Sequence, residues 1–74
     1  MKNKRTVNGF TFEWNEDNGF YECRGAVCYD NEHDETPEPA LWKAAKQLVS
    51  ILNEEGHEAD RDYSEKGWVE VSVD

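Results

Sequence analysis

The chain is short of apolar runs, of cysteine and of basic residues, and the first two shortages each exclude a class of protein. No apolar segment is long enough to span a bilayer, and the basic residues at the start precede Thr-Val-Asn-Gly rather than the apolar core of a signal peptide. We therefore expect a cytoplasmic protein with no membrane partner. The two cysteines, Cys23 and Cys28, are too few for a disulfide framework, so we expect free thiols.

The shortage of basic residues limits which partners the protein can bind. Eight Lys and Arg stand against 17 Asp and Glu, which gives a formal net charge of -9. Because non-specific nucleic-acid binding depends on Lys and Arg that neutralise phosphates, direct binding of nucleic acid is not expected. The acidity has two interpretations. It could serve solubility alone, or it could reproduce the field of a phosphate backbone and attract a basic protein.

The length sets the domain organisation. With 74 residues, of which 36% are hydrophobic, the chain has room for one small core and for one domain spanning residues 1–74. Three Trp, three Tyr and three Phe concentrate the apolar area in large side chains. Residues 1–5, which carry Lys2, Lys4 and Arg5, are predicted to be a flexible basic N-terminus.

A strictly alternating segment, Phe10 to Trp14, predicts the first strand. Asn18 and Gly19 then offer the two positive-φ residues of a type I′ turn, which fixes the register of a second strand ending at Tyr29. The predicted cross-strand pairs are Trp14 with Cys23, Phe12 with Gly25, Phe10 with Val27 and Glu13 with Arg24.

Apolar residues at spacings of three and four predict one amphipathic helix from about Pro37 to Glu55. Thr36 is expected to cap this helix, and Gly56 to end it in the left-handed conformation. The apolar stripe consists of Leu41, Ala44, Ala45, Leu48, Ile51 and Leu52. Trp42 falls on the flank of that stripe, between core and solvent.

A second hairpin is predicted after the helix, because Ala59 to Tyr63 alternates weakly and Val69 to Val73 alternates strongly. A loop with Gly67 in the left-handed conformation would pair Tyr63 with Val69. It would also place Asp62 opposite Glu70, an unfavourable pair, so a fold without the Ala59 to Tyr63 strand is the alternative.

The predicted fold class is α+β, a two-layer domain in which one helix packs on one face of an antiparallel sheet. The order is β-β-α-β-β, or β-β-α-β if the third strand is absent. The other face would be open and would carry Phe20, Cys28 and Trp68 among charged neighbours.

Catalytic and metal-binding patterns are missing from the sequence. Neither His33 nor His57 has the spacing of a nucleophile and its base, and we expect no enzyme activity. Cys23 and Cys28 would point to opposite sides of one strand, without a C-x-x-C motif, so no zinc is expected. The loop beginning at Asp30 lacks the Gly and Glu positions of an EF-hand, and no metal or cofactor is predicted.

The binding residues are therefore sought among the carboxylates and the aromatic side chains off the core pattern. The segment from Asp30 to Glu38 is the most acidic loop, and Trp is enriched at the energetic centres of interfaces. The predicted partner-binding residues are Asp30, Glu32, Asp34, Glu35, Glu38, Trp42 and Trp68.

Two segments, 14–20 on the first hairpin and 36–41 at the helix start, resemble the HicB-type antitoxins. That family has a small α+β domain with an acidic-Gly-aromatic turn and a T-P-E-x-A helix start. The resemblance covers roughly half the chain, departs from the family at the 30–35 loop and second hairpin, and implies an antitoxin role. In charge and size the chain is also similar to phage-encoded inhibitors such as anti-CRISPR proteins and other DNA mimics.

These features lead to two hypotheses. The first is a small, acidic, non-enzymatic inhibitor or regulator that binds a basic nucleic-acid-handling protein, as a nucleic-acid mimic. The alternative is a structural or assembly module that self-associates through the open sheet face. Monomer and homodimer both remain open.

Overall fold

A computed structural model describes residues 3–25, 27–30, 34–63 and 67–74. Its elements are β1 (Lys4–Val7), β2 (Phe10–Asn15), β3 (Phe20–Arg24), β4 (Val27–Asp30), β5 (Asp34–Pro37), α1 (Pro39–Glu54), β6 (Ala59–Tyr63) and β7 (Trp68–Val73). Five strands form an antiparallel sheet in the order β1-β2-β3-β7-β6, and β4 pairs with β5 separately. Because α1 packs on one face of the larger sheet, the predicted two-layer α+β class is confirmed.

The core lies between α1 and the inner face of the sheet. Strand alternation supplies one side of this core and the helical stripe supplies the other. Its buried members are Val7, Phe12, Tyr21, Cys23, Leu41, Ala44, Ala45, Leu48, Leu52, Val69 and Val71. Trp14 packs at the margin, with its ring edge-on to Tyr21 at a centroid distance of 5.0 Å. Ile51, predicted to belong to the stripe, is 38% exposed because it lies at the edge of the buried helix face.

The turn between β2 and β3 is not the predicted type I′ turn. Asn15 pairs with Phe20 across a four-residue loop, and within that loop only Gly19 has a positive φ, of 73°. The Asn15 side chain accepts hydrogen bonds from the backbone N–H groups of Asp17 and Asn18, at 3.0 and 3.3 Å. This local side-chain bonding stabilises the longer loop against the two-residue turn.

The longer loop shifts the β2–β3 register by two residues from the prediction. Trp14 lies opposite Tyr21 rather than Cys23, and Glu13 lies opposite Glu22 rather than Arg24. Because side chains alternate with a period of two, a two-residue shift leaves every one of them on its predicted face. The individual pairs were therefore wrong, while the division of β2 and β3 into core and outer face was right. Cys28, predicted on the outer face, belongs instead to β4, outside this sheet.

A type I′ turn does occur at the other Asn-Gly pair of the chain. Asn8 and Gly9 have φ values of 51° and 84° and join β1 to β2, with Val7 opposite Phe10. The strand β1 was not predicted. It includes Arg5, whose guanidinium donates hydrogen bonds of 2.7 and 2.6 Å to the two carboxylate oxygens of Glu55 beside the end of α1. Lys4 and Arg5 are thus part of the sheet rather than of a flexible N-terminus.

The predicted second strand is divided at Gly25. The backbone N–H of Gly25 donates to the carbonyl of Gly67 at 2.9 Å, and the chain then leaves the sheet. A Cβ at this position would overlap Cδ2 of Leu41, which is fully buried. Beyond the break, Val27 pairs with Pro37 in the β4–β5 hairpin, so the predicted pairs of Gly25 and Val27 with β2 were wrong.

The helix begins two residues later than predicted. Thr36 and Pro37 belong to β5, and Pro39 occupies the first turn, where its missing N–H leaves no bond unmade. Glu38 holds the N-cap position without a side-chain hydrogen bond, so the predicted Thr36 cap does not form. At the other end Gly56, with φ of 97°, terminates the helix as predicted.

The second hairpin forms as predicted in register. Tyr63 lies opposite Val69 and Ala59 opposite Val73, and Gly67 has a φ of 81°. Asp62 lies opposite Glu70, the unfavourable pair that made the strand uncertain. Burial of Val69 and Val71 under α1 outweighs that repulsion, since a cross-strand pair contributes only about 0.2–1 kcal/mol.

We predict that Gly25→Ala lowers the free energy of unfolding by about 1–3 kcal/mol, because the new methyl group overlaps Cδ2 of the fully buried Leu41, which then has to shift. Urea denaturation measures the change. In the double variant Gly25→Ala with Leu41→Ala the overlap is relieved. Its loss in free energy of unfolding should therefore be smaller than the sum of the losses of the two single variants. Strict additivity would contradict the overlap.

Candidate binding surface

The face of the sheet away from α1, here called the outer face, carries a line of carboxylates at right angles to the strands. Glu13 of β2 lies opposite Glu22 of β3, Glu22 opposite Glu70 of β7, and Glu70 opposite Asp62 of β6. These four residues are the acidic row. Since neighbouring strands are about 4.8 Å apart, the row is roughly 14 Å long.

The acidic row has little compensating charge. At its β1 end Lys4 contacts Glu13, with Nζ 3.6 Å from Oε1, but both side chains are largely exposed, so the pair contributes little. No other ion pair involves the row within the part of the chain that the structure describes. Like charges directly opposite each other on a sheet destabilise it, so this arrangement costs folding energy.

Aromatic side chains border the acidic row on both sides. Phe20 lies opposite Ser72, towards the β2–β3 turn, and Trp68 lies opposite Arg24, towards the break at Gly25. Both rings are half-buried, and both occupy the outer face as predicted. The Arg24 guanidinium carbon is 5.6 Å from the centroid of the Trp68 ring. The outer face therefore combines the acidic row and Asp60 with two partly exposed rings and with the cations of Lys4 and Arg24.

The opposite side of the domain has a different charge. The solvent-facing side of α1 exposes Lys43 and Lys46, together with Ser50 and Glu54. Four of the 17 acidic residues therefore form the acidic row, while this side of the helix carries both signs of charge.

Trp42 does not share a surface with Trp68. It projects from α1 towards β6, where the Arg61 guanidinium carbon lies 4.0 Å from its ring centroid and Arg61 Nη1 donates a 2.8 Å hydrogen bond to its carbonyl oxygen. Tyr63 packs edge-on to the same ring at 5.5 Å. The predicted flank position is confirmed, but the ring lies on the helix side of the sheet. Trp42 and Trp68 therefore do not form one contact surface.

The predicted acidic loop is largely a hairpin. Asp30 ends β4, and Asp34 and Glu35 belong to β5, with Asp30 opposite Asp34. Glu32 lies outside the described residues. Glu38 is half-buried at the helix N-cap, on the connection between this hairpin and α1. The predicted binding residues are thus divided between the β4–β5 hairpin, the start of α1 and the outer face.

The two cysteines considered as metal ligands belong to different strands, Cys23 to β3 and Cys28 to β4. Cys23 is a free thiol buried in the core on the inner face of the sheet. Desolvation raises the pKa of this thiol, and the negative charges of Glu13 and Glu38 add smaller contributions. Cys28 is placed on β4, and His33 lies outside the described residues. Within the described ranges no group of three or more His, Cys, Asp or Glu is arranged to hold a metal ion.

Helix length bears on membrane insertion. The described helix α1 has 16 residues, and no helix in the described part of the chain is both long enough and apolar enough to cross a bilayer.

Comparisons with protein-family models, with curated proteins and with solved structures find no match to this chain. The resemblance to HicB-type antitoxins and to phage-encoded inhibitors therefore stays a prediction. Function has to be inferred from the surface itself.

The acidic row was missed by the sequence analysis for two reasons. The predicted register placed Arg24, a neutralising residue, opposite Glu13, whereas the observed register places Glu22 there. The pairing of β3 with β7 joins segments far apart in the chain, and no local pattern indicates it. Only the Asp62–Glu70 pair, inside one predicted hairpin, was available from the sequence.

We predict that Glu70→Gln stabilises the domain by about 0.2–1 kcal/mol, because Glu70 faces a carboxylate on each side. The gain should shrink in about 1 M NaCl, where the screening length is about 3 Å. Urea denaturation at low and high salt measures both values. Glu16→Gln, an equal charge change in the β2–β3 turn, is the control and should have a smaller effect. Equal gains for both variants would mean that net charge, not the row, is responsible.

Proposed function

We propose that this domain is a non-enzymatic inhibitor that acts in the cytoplasm by binding a basic, nucleic-acid-handling protein through the outer face of its sheet. The observation that carries the proposal is the acidic row bordered by Phe20 and Trp68. Carboxylates that oppose one another lower stability, and residues that lower stability are typical of binding sites.

The acidic row suits a surface that normally binds phosphates. Four carboxylates held on a sheet present a fixed line of negative charge, and their positions are set by backbone pairing rather than by flexible side chains alone. A groove lined with Lys and Arg for a nucleic-acid backbone offers the complementary charge. Binding would occupy that groove and exclude its nucleic acid.

The aromatic side chains supply what charge alone does not. Trp and other large rings dominate the binding energy of many interfaces, whereas charges at the rim mainly raise the association rate. Trp68 and Phe20 each remain half-buried in the free domain, so a partner can cover further apolar area on both. The aliphatic stems of partner Lys and Arg side chains are suited to pack on these rings.

The outer face is poorly suited to self-association. Two copies that met face to face would bring the same carboxylates together, on molecules that each carry a formal charge of -9. Charge repulsion of this kind costs free energy in an interface. The geometry therefore favours a basic partner over a second copy at this face.

The test is a pull-down from a lysate with the domain as bait, in about 50 mM and about 500 mM salt. We expect a basic nucleic-acid-binding protein, identified by mass spectrometry, that is retained at low salt and lost at high salt. Once purified, this partner should lose its nucleic acid to the domain in a competition assay. Recovery of no such protein at low salt would exclude the proposal.

Variants then locate the surface. Glu22→Gln with Glu70→Gln should weaken binding by about tenfold or more, because it removes the central charges of the row. Glu16→Gln with Glu54→Gln changes the net charge equally away from the row and should bind almost as the wild type does. If the two double variants bind alike, the contact lies elsewhere, and the β4–β5 hairpin becomes the surface to test.

A further inference from the structure

The two edges of the five-stranded sheet differ in how their outward backbone groups are satisfied. Among the strands of the described residues, β1 and β6 are the edge strands of this sheet, and each has a neighbour on one side only. In an antiparallel pair, alternate residues direct their N–H and C=O groups towards the partner, and the remaining residues direct theirs outward. An outward group without a partner is a site where another strand can add.

The β6 edge is blocked. The Asp74 N–H donates a hydrogen bond to the Glu58 carbonyl, so Glu58 directs its backbone groups towards β7. Because the direction alternates along the strand, Ala59, Arg61 and Tyr63 direct theirs away from β7. The Ala59 N–H donates to Oδ1 of Asn53 at 3.0 Å, and the Tyr63 N–H donates to Oδ1 of Asp62 at 2.7 Å. Side chains thus occupy two of the three outward donors, and Asp60 and Asp62 add negative charge to this edge.

The β1 edge is open. The Trp14 N–H donates to the Asn3 carbonyl at 2.7 Å, which places the outward groups on Lys4 and Thr6. Among the described residues, the backbone N–H and C=O groups of Lys4 and Thr6 have no hydrogen-bond partner on the side of β1 away from β2. The Lys4 ammonium is directed sideways to Glu13, and the Thr6 hydroxyl bonds that of Thr11 at 3.1 Å, so neither side chain covers the edge.

We infer that a second copy of this chain pairs with β1, so that two sheets join into one continuous antiparallel sheet. The favoured register places Lys4 opposite the second copy's Thr6 and forms about four backbone hydrogen bonds. It avoids a Lys–Lys pair. In this register Arg5 lies opposite Arg5 of the second copy. The charge of each Arg5 is already balanced by the carboxylate of Glu55, to which it donates two hydrogen bonds.

Charge also favours β1 as the contact. Each copy has a formal charge of -9, and β1 carries Lys4 and Arg5 whereas β6 carries Asp60 and Asp62. Copies that approach through β1 therefore repel each other least. Because the β6 edge is blocked, the assembly closes as a two-fold dimer and does not extend into a filament. The two-fold axis is perpendicular to the sheet, so both acidic rows face the same way.

Sedimentation equilibrium from about 10 µM to about 1 mM tests the pairing, since a four-residue edge buries less than the roughly 1,000 Å² of a stable interface and must associate weakly. We expect dimer to increase with concentration and also with salt, which screens the repulsion. A chain that stays monomeric at about 1 mM in high salt would overturn the inference. That result would also overturn it if β1 pairs with a strand of a different protein instead.

A matched pair of variants identifies the edge. Thr6→Pro removes the outward N–H without removing a β1–β2 ladder bond, and it should abolish the dimer. Thr6→Ala removes the side chain, retains the N–H and should dimerise like the wild type. Equal dimerisation of both variants would contradict the pairing.

A further measurement keeps the test valid if Thr6→Pro fails to fold. In the wild-type chain, hydrogen exchange at the Thr6 amide should slow as dimer forms, while exchange at the Asp17 amide, in the β2–β3 turn, stays constant. A dimer in which the Thr6 amide remains unprotected would contradict the inference. The inference is independent of the proposed function, because salt strengthens this dimer and weakens the binding of a basic partner.

Discussion

The pairing of β3 with β7 connects the two halves of this domain, and both the core and the outer face depend on it. One strand belongs to the hairpins before α1 and the other to the hairpin after it. On the inner side the pairing places Tyr21 and Cys23 beside Val71 and Val69, under the helix. On the outer side the same register places Glu22 opposite Glu70. The two faces of the sheet are therefore fixed by one set of backbone hydrogen bonds.

Much of the fold followed from local patterns, and the errors came from choices that such patterns leave undecided. The alternation of Phe10 to Trp14 and the stripe on α1 predicted the right faces, because burial enforces the period. Both Asn-Gly pairs offer a type I′ turn, but at the second one the side chain of Asn15 bonds the loop backbone and stabilises a longer connection. The candidate site was less predictable: Trp68 and Phe20 were assigned to the correct face, while the acidic row required a long-range register.

The four charges of the acidic row lie where they cost stability. A chain of 74 residues has a small core, and its net stability amounts to a few kcal/mol. Within this margin four carboxylates face one another on a sheet, while the bidentate Arg5–Glu55 contact joins β1 to the end of α1. The contrast separates the two sides of the sheet: contacts on the inner side stabilise the fold, whereas the carboxylate pairs on the outer side oppose it.

The β3–β7 contact also has a consequence for folding during synthesis. The two strands lie roughly 45 residues apart in the chain, so β3 leaves the ribosome long before its partner exists, and non-local pairing of this kind forms late. In the interval the edge of β3 that later pairs with β7 is free, and this strand includes the large apolar residues Phe20 and Tyr21. Glu22, at the middle of that strand, acts as a gatekeeper, because its charge discourages pairing with other nascent chains. A carboxylate that weakens the finished sheet thereby protects the unfinished one from aggregation.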